Sequence, residues 1–477
     1  MACSLIVGLG RSGVGAARLL HAQGHHVVVL ERDDGPEQQS KAKQLRDQGI
    51  QTELGCPLEF SSFQRWLDQI EQVVISPGIP WDHPTLMQLR DHGVTVRGEM
   101  AVAWQALHHC PWIGITGTNG KTTVTHLLHH VLNQAGLHAP MAGNVGHSAA
   151  ELGLQCMDPA QTKPDWIVME MSSYQIESAN EVRPTIGIWT TLTPDHLERH
   201  GSMDAYRDIK QGLLQRSEHV VLNADDADLK SRQADWPDAQ WVSSAQTRPE
   251  SSSLELWINE NDLVCSKKGA LFAANALAMP GEHNRQNMLL VTAAALQAGL
   301  GANAIERGLR SFPGVPHRLE NLGSIHGMHV FNDSKATNYD AAAVALQAVP
   351  GPIALLAGGL SKQGDASGWL QLLENKVCSI SLFGSDRDIL RGLIHSSGYT
   401  GAVTSHPSMT DAVTAAIAQG KNEKASSLLL SPACASFDQY KDFEARGNHF
   451  RDIIQQHSQN QSTQLDQASA NDYPVNQ

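Results

Sequence analysis

The sequence predicts an α/β protein of three domains, each built on a mainly parallel sheet, and three observations predict it. Short apolar runs alternate with helix-length stretches along almost the whole chain, the pattern of strands covered on both faces by crossover helices. Two of those runs, one at the N-terminus and one ending at Ile115, lead straight into glycine-rich turns followed by helical periodicity. The stiff segment Phe312-Pro313-Gly314-Val315-Pro316 then reads as a linker into a further α/β series. A chain of 477 residues is also too long for one ordinary core. The expected domains are 1–98, 99–314 and 315–457, followed by a polar tail at 458–477.

In the first domain, a strand over Ser4 to Gly8 precedes a helix over Val14 to Gln23 and a strand over His26 to Leu30. Further α/β units run up to Val73-Val74-Ile75 and the turn Ser76-Pro77-Gly78, with a boundary and candidate hinge near Arg97-Gly98. A helical stretch from Glu99 to His108 leads to the strand Trp112 to Ile115. The helix after it aligns Leu127, Leu128, Val131 and Leu132 and stops at Gly136. Buried-type strands follow at Trp166 to Met169, Thr185 to Leu192 and His219 to Leu222. Ser243 to Ser253 is serine-rich, and Leu254 to Ile258 against Leu263 to Cys265 reads as a surface hairpin. The third domain repeats the alternation, with strands at His329 to Asn332, Ile353 to Ala357, Ile380 to Phe383 and Ser427 to Leu430 and helices such as Asp340 to Val349 and Met409 to Ala418. After His457 no apolar face remains, so the tail is expected to be disordered.

Composition narrows the function. A formal charge of −14 argues against a nucleic-acid partner, which would need a basic face. The seven cysteines lack CxxC spacing, so neither a zinc site nor a disulfide framework is indicated and a reducing cytoplasm is expected. The apolar start MACSLIVGLG has no basic flank, and no run approaches the length of a spanning helix, so neither export nor a membrane partner is expected.

The chemistry sits at strand ends. TGTNGKTT, Thr116 to Thr123, joins a strand to a helix, so its backbone N–H groups can turn onto phosphate oxygens. Lys121 supplies a cation for the β/γ-phosphates and Thr122 a hydroxyl for Mg²⁺, which makes the central domain P-loop-type, an ATPase fold. The pattern is a variant, with Ile115 where the standard loop has glycine and Gly114 one place early. GLGRSG, Gly8 to Gly13, with Glu31 closing the next strand, marks a Rossmann-like first domain that suits the diphosphate of NAD or of a UDP-sugar. Glu170 and His196 fall at the carboxyl ends of strands, where ligands of parallel sheets bind, and Asn144 lies in a Gly-Asn turn. In the Rossmann-like C-terminal domain, the loops NDSKATN, GGLSK and SPACASF bring lysines and hydroxyls to three strand ends, which suits an anionic substrate.

Taken together, TGTNGKTT, EMSSYQIE (Glu170 to Glu177), TPDHLERHG, GEHNRQN (Gly281 to Asn287), PHR (Pro316 to Arg318), NDSKATN and LLSPACASFDQ resemble the Mur ligases of peptidoglycan synthesis, over about residues 4 to 455. The stretch SPACASFDQYKDFEARG resembles the D-glutamate-adding members. The resemblance implies a cytoplasmic, monomeric enzyme with UDP-N-acetylmuramoyl-L-alanine and D-glutamate as partners, ATP as cosubstrate and two Mg²⁺ sites. An acyl phosphate would be the intermediate. It implies ATP contacts from Thr118, Asn119, Gly120, Lys121, Thr122, Thr123, Asn284, Asn287, Arg318 and Asp333. Metal contacts fall to Thr122, Glu170, His196 and Lys210, the last matching a lysine that is carbamylated in similar enzymes. Catalytic roles fall to Lys121, His196, Lys210 and Lys335. Arg11, Ser12, Glu31, Arg32, Ser76 and Gly78 match the UDP end, Asn144 the acyl end, and Lys335, Thr337, Lys362, Ser436 and Phe437 the D-glutamate pocket. Arg32-Asp33 departs from the Thr-Arg pair of a familiar relative. The alternatives are another Mur or folylpolyglutamate-type amide ligase, and an NAD-dependent oxidoreductase.

Overall fold

The computed structural model describes residues 3–245, 254–279, 281–361 and 364–471, with 460–471 in backbone only. Lys362, most of the serine-rich stretch and the last six residues lie outside the described residues. Three sheets carry the fold, and the chain divides into two compact units, Met1–Phe312 and Pro313–Gln477.

The first sheet contains β1 (Cys3–Val7), β2 (His26–Leu30), β3 (Gln51–Glu53), β4 (Ile70–Ile75) and β5 (Thr95–Gly98). Its order is β3-β2-β1-β4-β5 and every pairing is parallel. CSLIV is buried throughout because helices cover both faces of β1. The chain winds outward on either side of β1 and β4, so the crevice at their carboxyl ends lies between the Gly8–Gly13 loop and the Ser76–Gly78 turn.

The second sheet holds β6 (Trp112–Thr116), β7 (Met141–Gly143), β8 (Ile167–Glu170), β9 (Ile186–Trp189), β10 (His219–Asn223), β11 (Gln240–Ser243), β12 (Leu254–Ile258), β13 (Leu263–Ser266) and β14 (Gly269–Ala273). The order β14-β13-β12-β11-β10-β9-β6-β8-β7 puts the switch between β6 and β9, so TGTNGKTT and the loop after β9 share one crevice. The expected hairpin exists as antiparallel β12 and β13, but it is not a separate surface feature. β12 pairs in parallel with β11, and β14 extends the edge further. Short edge strands such as β7 carry too few residues for a period to be read from sequence.

One hydrophobic cluster runs from Ile6 and Leu9 of the first layer through Leu107 and Trp112 to Trp189 and Leu254 of the second. The two layers therefore form one unit across the boundary expected near Arg97-Gly98.

In the second unit, β15 (Glu320–Ile325), β16 (Met328–Asn332), β17 (Ile353–Gly358), β18 (Val377–Phe383), β19 (Ala402–Ser405) and β20 (Ser427–Leu430) form a sheet ordered β15-β16-β20-β17-β18-β19. Only β15 runs antiparallel. The three expected lysine- and hydroxyl-bearing loops leave the carboxyl ends of β16, β17 and β20, which are neighbours. The final helix, Phe443–Asn471, continues through 458–471, where disorder was expected. Neither glycine nor proline interrupts the sequence between Gly447 and Pro474, so nothing in the chain chemistry stops the helix. No described helix is long and apolar enough to cross a membrane.

Candidate active site

The loop Gly117–Gly120 leaves β6 and opens the helix Lys121–Gln134. Gly117 (φ 149°) and Gly120 (φ 83°) both take conformations that favour glycine. A Cβ at Gly117 would overlap Thr190 Oγ1, and one at Gly120 would lie 2.7 Å from Asn287 Oδ1. Space and dihedral angle thus demand the same residue. The loop is braced from β9: Thr118 N donates to Thr191 O (2.8 Å), Asn119 N to Thr191 Oγ1 (2.9 Å), and Thr190 Oγ1 to Asn119 O (2.5 Å). No side chain caps the helix at Gly120, which leaves its N-terminus as an anion-seeking surface. Thr122 sits on its first turn partly exposed, and Thr123 is buried.

Two lysines converge on that loop. Lys121 Nζ donates to Gly117 O (2.9 Å) and Thr118 O (2.8 Å), and Lys210 Nζ donates to Gly117 O (2.9 Å) and Thr116 Oγ1 (3.4 Å). Lys210 is 1% exposed. Its burial, with the Lys121 ammonium close by, pulls its pKa down to about 7. The helix Met203–Gln215 that presents it is capped by Ser202 and anchored by Arg207, which donates to both Asp228 oxygens (3.0 and 2.7 Å). That bidentate pair fixes the helix in rotation.

Across the crevice, Glu170 ends β8 almost fully buried. Asn144 Nδ2 donates to its Oε1 (2.8 Å) and Asn144 N to its carbonyl (2.9 Å), while Oε2 is buried without a hydrogen-bond partner. His196 sits 5.1 Å from the Tyr174 ring at φ 53°, a backbone position that costs on the order of 1–3 kcal/mol and clusters at functional sites. One cleft of about 330 Å³ is lined by Arg11, Ser12, Lys121, Asn144, His196 and Lys210.

The first layer's expected residues flank its own crevice. Arg11 opens the helix Arg11–Ala22 and donates to Gly146 O (2.7 Å), next to the Asn144 turn. Glu31 is turned onto the glycine-rich loop, accepting from Leu9 N (2.6 Å) and Asp33 N (3.0 Å). Arg32 is exposed and pairs with Asp33. Ser76 Oγ is buried without a hydrogen-bond partner, and Gly78 lies exposed in the next turn.

Asn284 and Asn287 are buried on the helix Glu282–Gln297, Asn287 beside Gly120. In the second unit, Asp333 accepts from Leu319 N (3.2 Å) and Ser431 Oγ (3.0 Å), and burial lifts its pKa to about 7. Arg318 is exposed, Thr337 half-buried, Ser436 buried and Phe437 70% exposed. Lys335 Nζ lies 5.4 Å from the centre of the Phe443 ring.

Sequence reasoning missed several supporting residues. Thr190 and Thr191 brace the phosphate-type loop, and Tyr174 and Tyr206 wall the cleft. Fully buried Arg446 donates to Ser334 O (2.8 Å), Cys434 O (3.0 Å) and Gly358 O (3.4 Å), tying together the three loops that carry the expected D-glutamate residues. Thr190-Thr191 directly after a strand was the available signal. Nothing local marks Arg446, whose partners lie far away in sequence.

Two family models match the chain: the Mur ligase middle domain over residues 115–295 and the Mur ligase MurD-like N-terminal domain over 3–98. The chain belongs to the Mur ligase family. Curated proteins named UDP-N-acetylmuramoylalanine–D-glutamate ligase are similar over nearly the full length of both chains. The one from Parasynechococcus marenigrum (strain WH8102) is 60% identical, covering 96% of this chain and 99% of that protein. The Prochlorococcus marinus (strain MIT 9313) protein is 61% identical over the same shares, and the Gloeobacter violaceus protein is 43% identical over 95% and 99%. Among solved structures, the UDP-N-acetylmuramate–alanine ligase MurC of Thermotoga maritima shares the fold, with a TM-score of 0.56 at 19% identity over 96% of this chain and 100% of that one.

Proposed function

We propose that this chain uses ATP to join the amino group of D-glutamate to the L-alanine carboxylate of UDP-N-acetylmuramoyl-L-alanine, in the cytoplasmic synthesis of peptidoglycan precursors. The observation that carries the reading is the single cleft in which the phosphate-type loop's Lys121 faces Asn144, His196 and the Arg11–Ser12 end of the first glycine-rich loop. A nucleotide phosphate and the far end of a UDP-linked carboxylate can meet there. The same reading takes the chain as a monomer, with residues 1–98 for the UDP end, 99–314 for ATP and 315–457 for the amino acid.

A carboxylate is a poor acyl donor, so one of its oxygens attacks the γ-phosphorus and ADP leaves. The D-glutamate nitrogen then attacks the acyl carbon, loses a proton, and phosphate departs with the carboxylate oxygen. Charge gathers on phosphoryl oxygens, which cations and helix N-termini stabilise. In this scheme Thr118 to Thr123 hold the phosphates, with Lys121 supplying the cation, while Asn284, Asn287, Arg318 and Asp333 hold the rest of ATP. Arg11, Ser12, Glu31, Arg32, Ser76 and Gly78 serve the UDP end and Asn144 the acyl end. Lys335, Thr337, Lys362, Ser436 and Phe437 serve D-glutamate.

The residues present fit Mg²⁺. The unpartnered, buried Oε2 of Glu170 needs a positive or donating neighbour. No trio of His, Cys, Asp or Glu that could hold a metal converges among the described residues; Thr122 would help hold one Mg²⁺ and Glu170 with His196 the second, the remaining places falling to water and substrate phosphates. Two such sites are proposed. Mg²⁺ would neutralise phosphate charge there. Lys210, held near pKa 7, has the neutral amine needed to take up CO₂ as a carbamate, which would turn a buried cation into a metal-seeking anion.

The scheme is tested with UDP-N-acetylmuramoyl-L-alanine carrying ¹⁸O in its carboxylate. One label should appear in the released phosphate; unlabelled phosphate would remove the acyl phosphate from the mechanism.

A further inference from the structure

We infer that Glu99 is a positioning residue for the UDP substrate: its buried carboxylate locks the glycine-rich loop of the first sheet to the Asn144 turn of the second, fixing the distance between the two ends of that ligand's site. The inference rests on the function proposed above and deepens it.

Glu99 opens the helix Glu99–Leu107 directly after β5 and is 1% exposed. Its Oε1 accepts from Ala150 N (2.5 Å), and the Ala149 N–H and Ser148 side chain beside it also favour the charged carboxylate. All three belong to the start of the helix Ala149–Cys156, where N–H groups and helix dipole favour an anion. The nearby Arg11 guanidinium adds a favourable positive charge. Arg11 in turn donates to Gly146 O (2.7 Å), two residues from Asn144. Helix Arg11–Ala22 presses onto the same point, since a Cβ on Gly15 would overlap Ser148 Oγ. The helices Arg11–Ala22, Glu99–Leu107 and Ala149–Cys156 therefore pack together beside one carboxylate, and Arg11 carries the connection on to the Asn144 turn.

That carboxylate is held at a cost. Its second oxygen, Oε2, is buried with no hydrogen-bond partner, and burial lifts its pKa to about 7 against the pull of its donors. Stability alone would favour an apolar residue at such a junction. A carboxylate, however, accepts from several donors at once. An amide of the same volume lacks the negative charge that the helix N-terminus and Arg11 attract, so the lock would loosen.

The test is steady-state kinetics of the full chain as Glu99→Gln and Glu99→Asp, with phosphate release as the readout and each substrate varied in turn. Glu99→Gln should raise KM for UDP-N-acetylmuramoyl-L-alanine about ten-fold, leave KM for ATP and D-glutamate within about two-fold, and leave kcat within about three-fold; Glu99→Asp should recover part of the loss. A residue that only holds the fold would instead lower kcat through the active fraction and leave every KM alone. An unchanged KM for the UDP substrate in folded Glu99→Gln overturns the inference, as does aggregation of both variants. Failure of the wild-type chain to release phosphate with these substrates would instead count against the proposed function.

Discussion

Gly117 O accepts from two lysines at once, Lys121 and Lys210, both of which carry roles in the proposed chemistry. Two ammonium groups so close repel, which is part of why Lys210 titrates near 7. Lys121→Ala removes the cation expected on the transferred phosphoryl group, so phosphate release should fall by about 10²-fold or more, the scale of losing one charge-stabilising group; activity within a few-fold of wild type would remove Lys121 from that role. Lys210→Ala should be nearly inactive but partly restored by formate or acetate, small carboxylates able to occupy the place of a carbamate. Asp333 makes a different prediction. Its folded pKa of about 7 lies above the ordinary 3.8, so its contribution to stability is fully present below about pH 4 and is lost as pH rises through about 7. Urea unfolding of Asp333→Asn should therefore show a shallower fall in stability over that range than wild type, by at most about 1.4 kcal/mol per pH unit.

Local elements were legible wherever backbone need and side-chain chemistry coincide. TGTNGKTT could be read because Gly117 and Gly120 must be glycine for both dihedral angle and space, and because Lys121 opens the helix that follows. Gly120→Ala should cost about 1–2 kcal/mol for the left-handed backbone alone, lowering the urea midpoint, and should impair phosphate release by pushing Asn287 aside. The Thr190–Thr191 brace escaped notice because its partners are joined only by sheet pairing of β6 with β9. Short strands such as β3, β5 and β7 were missed for want of length, and the hairpin's incorporation into the sheet is a tertiary choice that alternating apolarity cannot disclose. The last helix buries Phe450, Ile453 and Ile454, whereas the sequence beyond His457 is almost wholly polar. Deleting 458–477 should leave phosphate release within about two-fold of wild type, since the buried apolar residues described on that helix, Phe450, Ile453 and Ile454, precede the cut.

At the scale of the whole molecule, three sheets place their glycine- and lysine-bearing loops at the carboxyl ends of strands, where the winding of each chain segment opens a crevice. The first two share a core, so the loops proposed for the UDP end and for ATP belong to one unit; the third sheet forms its own. The sequence motifs identified those loops as a set, but not the shared core, since the cluster from Ile6 to Leu254 joins residues distant along the chain. We propose that these loops serve one reaction with three substrates. Phosphate release from ATP, followed with UDP-N-acetylmuramoyl-L-alanine and D-glutamate supplied together and each withheld in turn, tests it most directly. Release should require both and fall to background when either is omitted or when L-glutamate replaces the D-isomer; equal release without D-glutamate would contradict the claim.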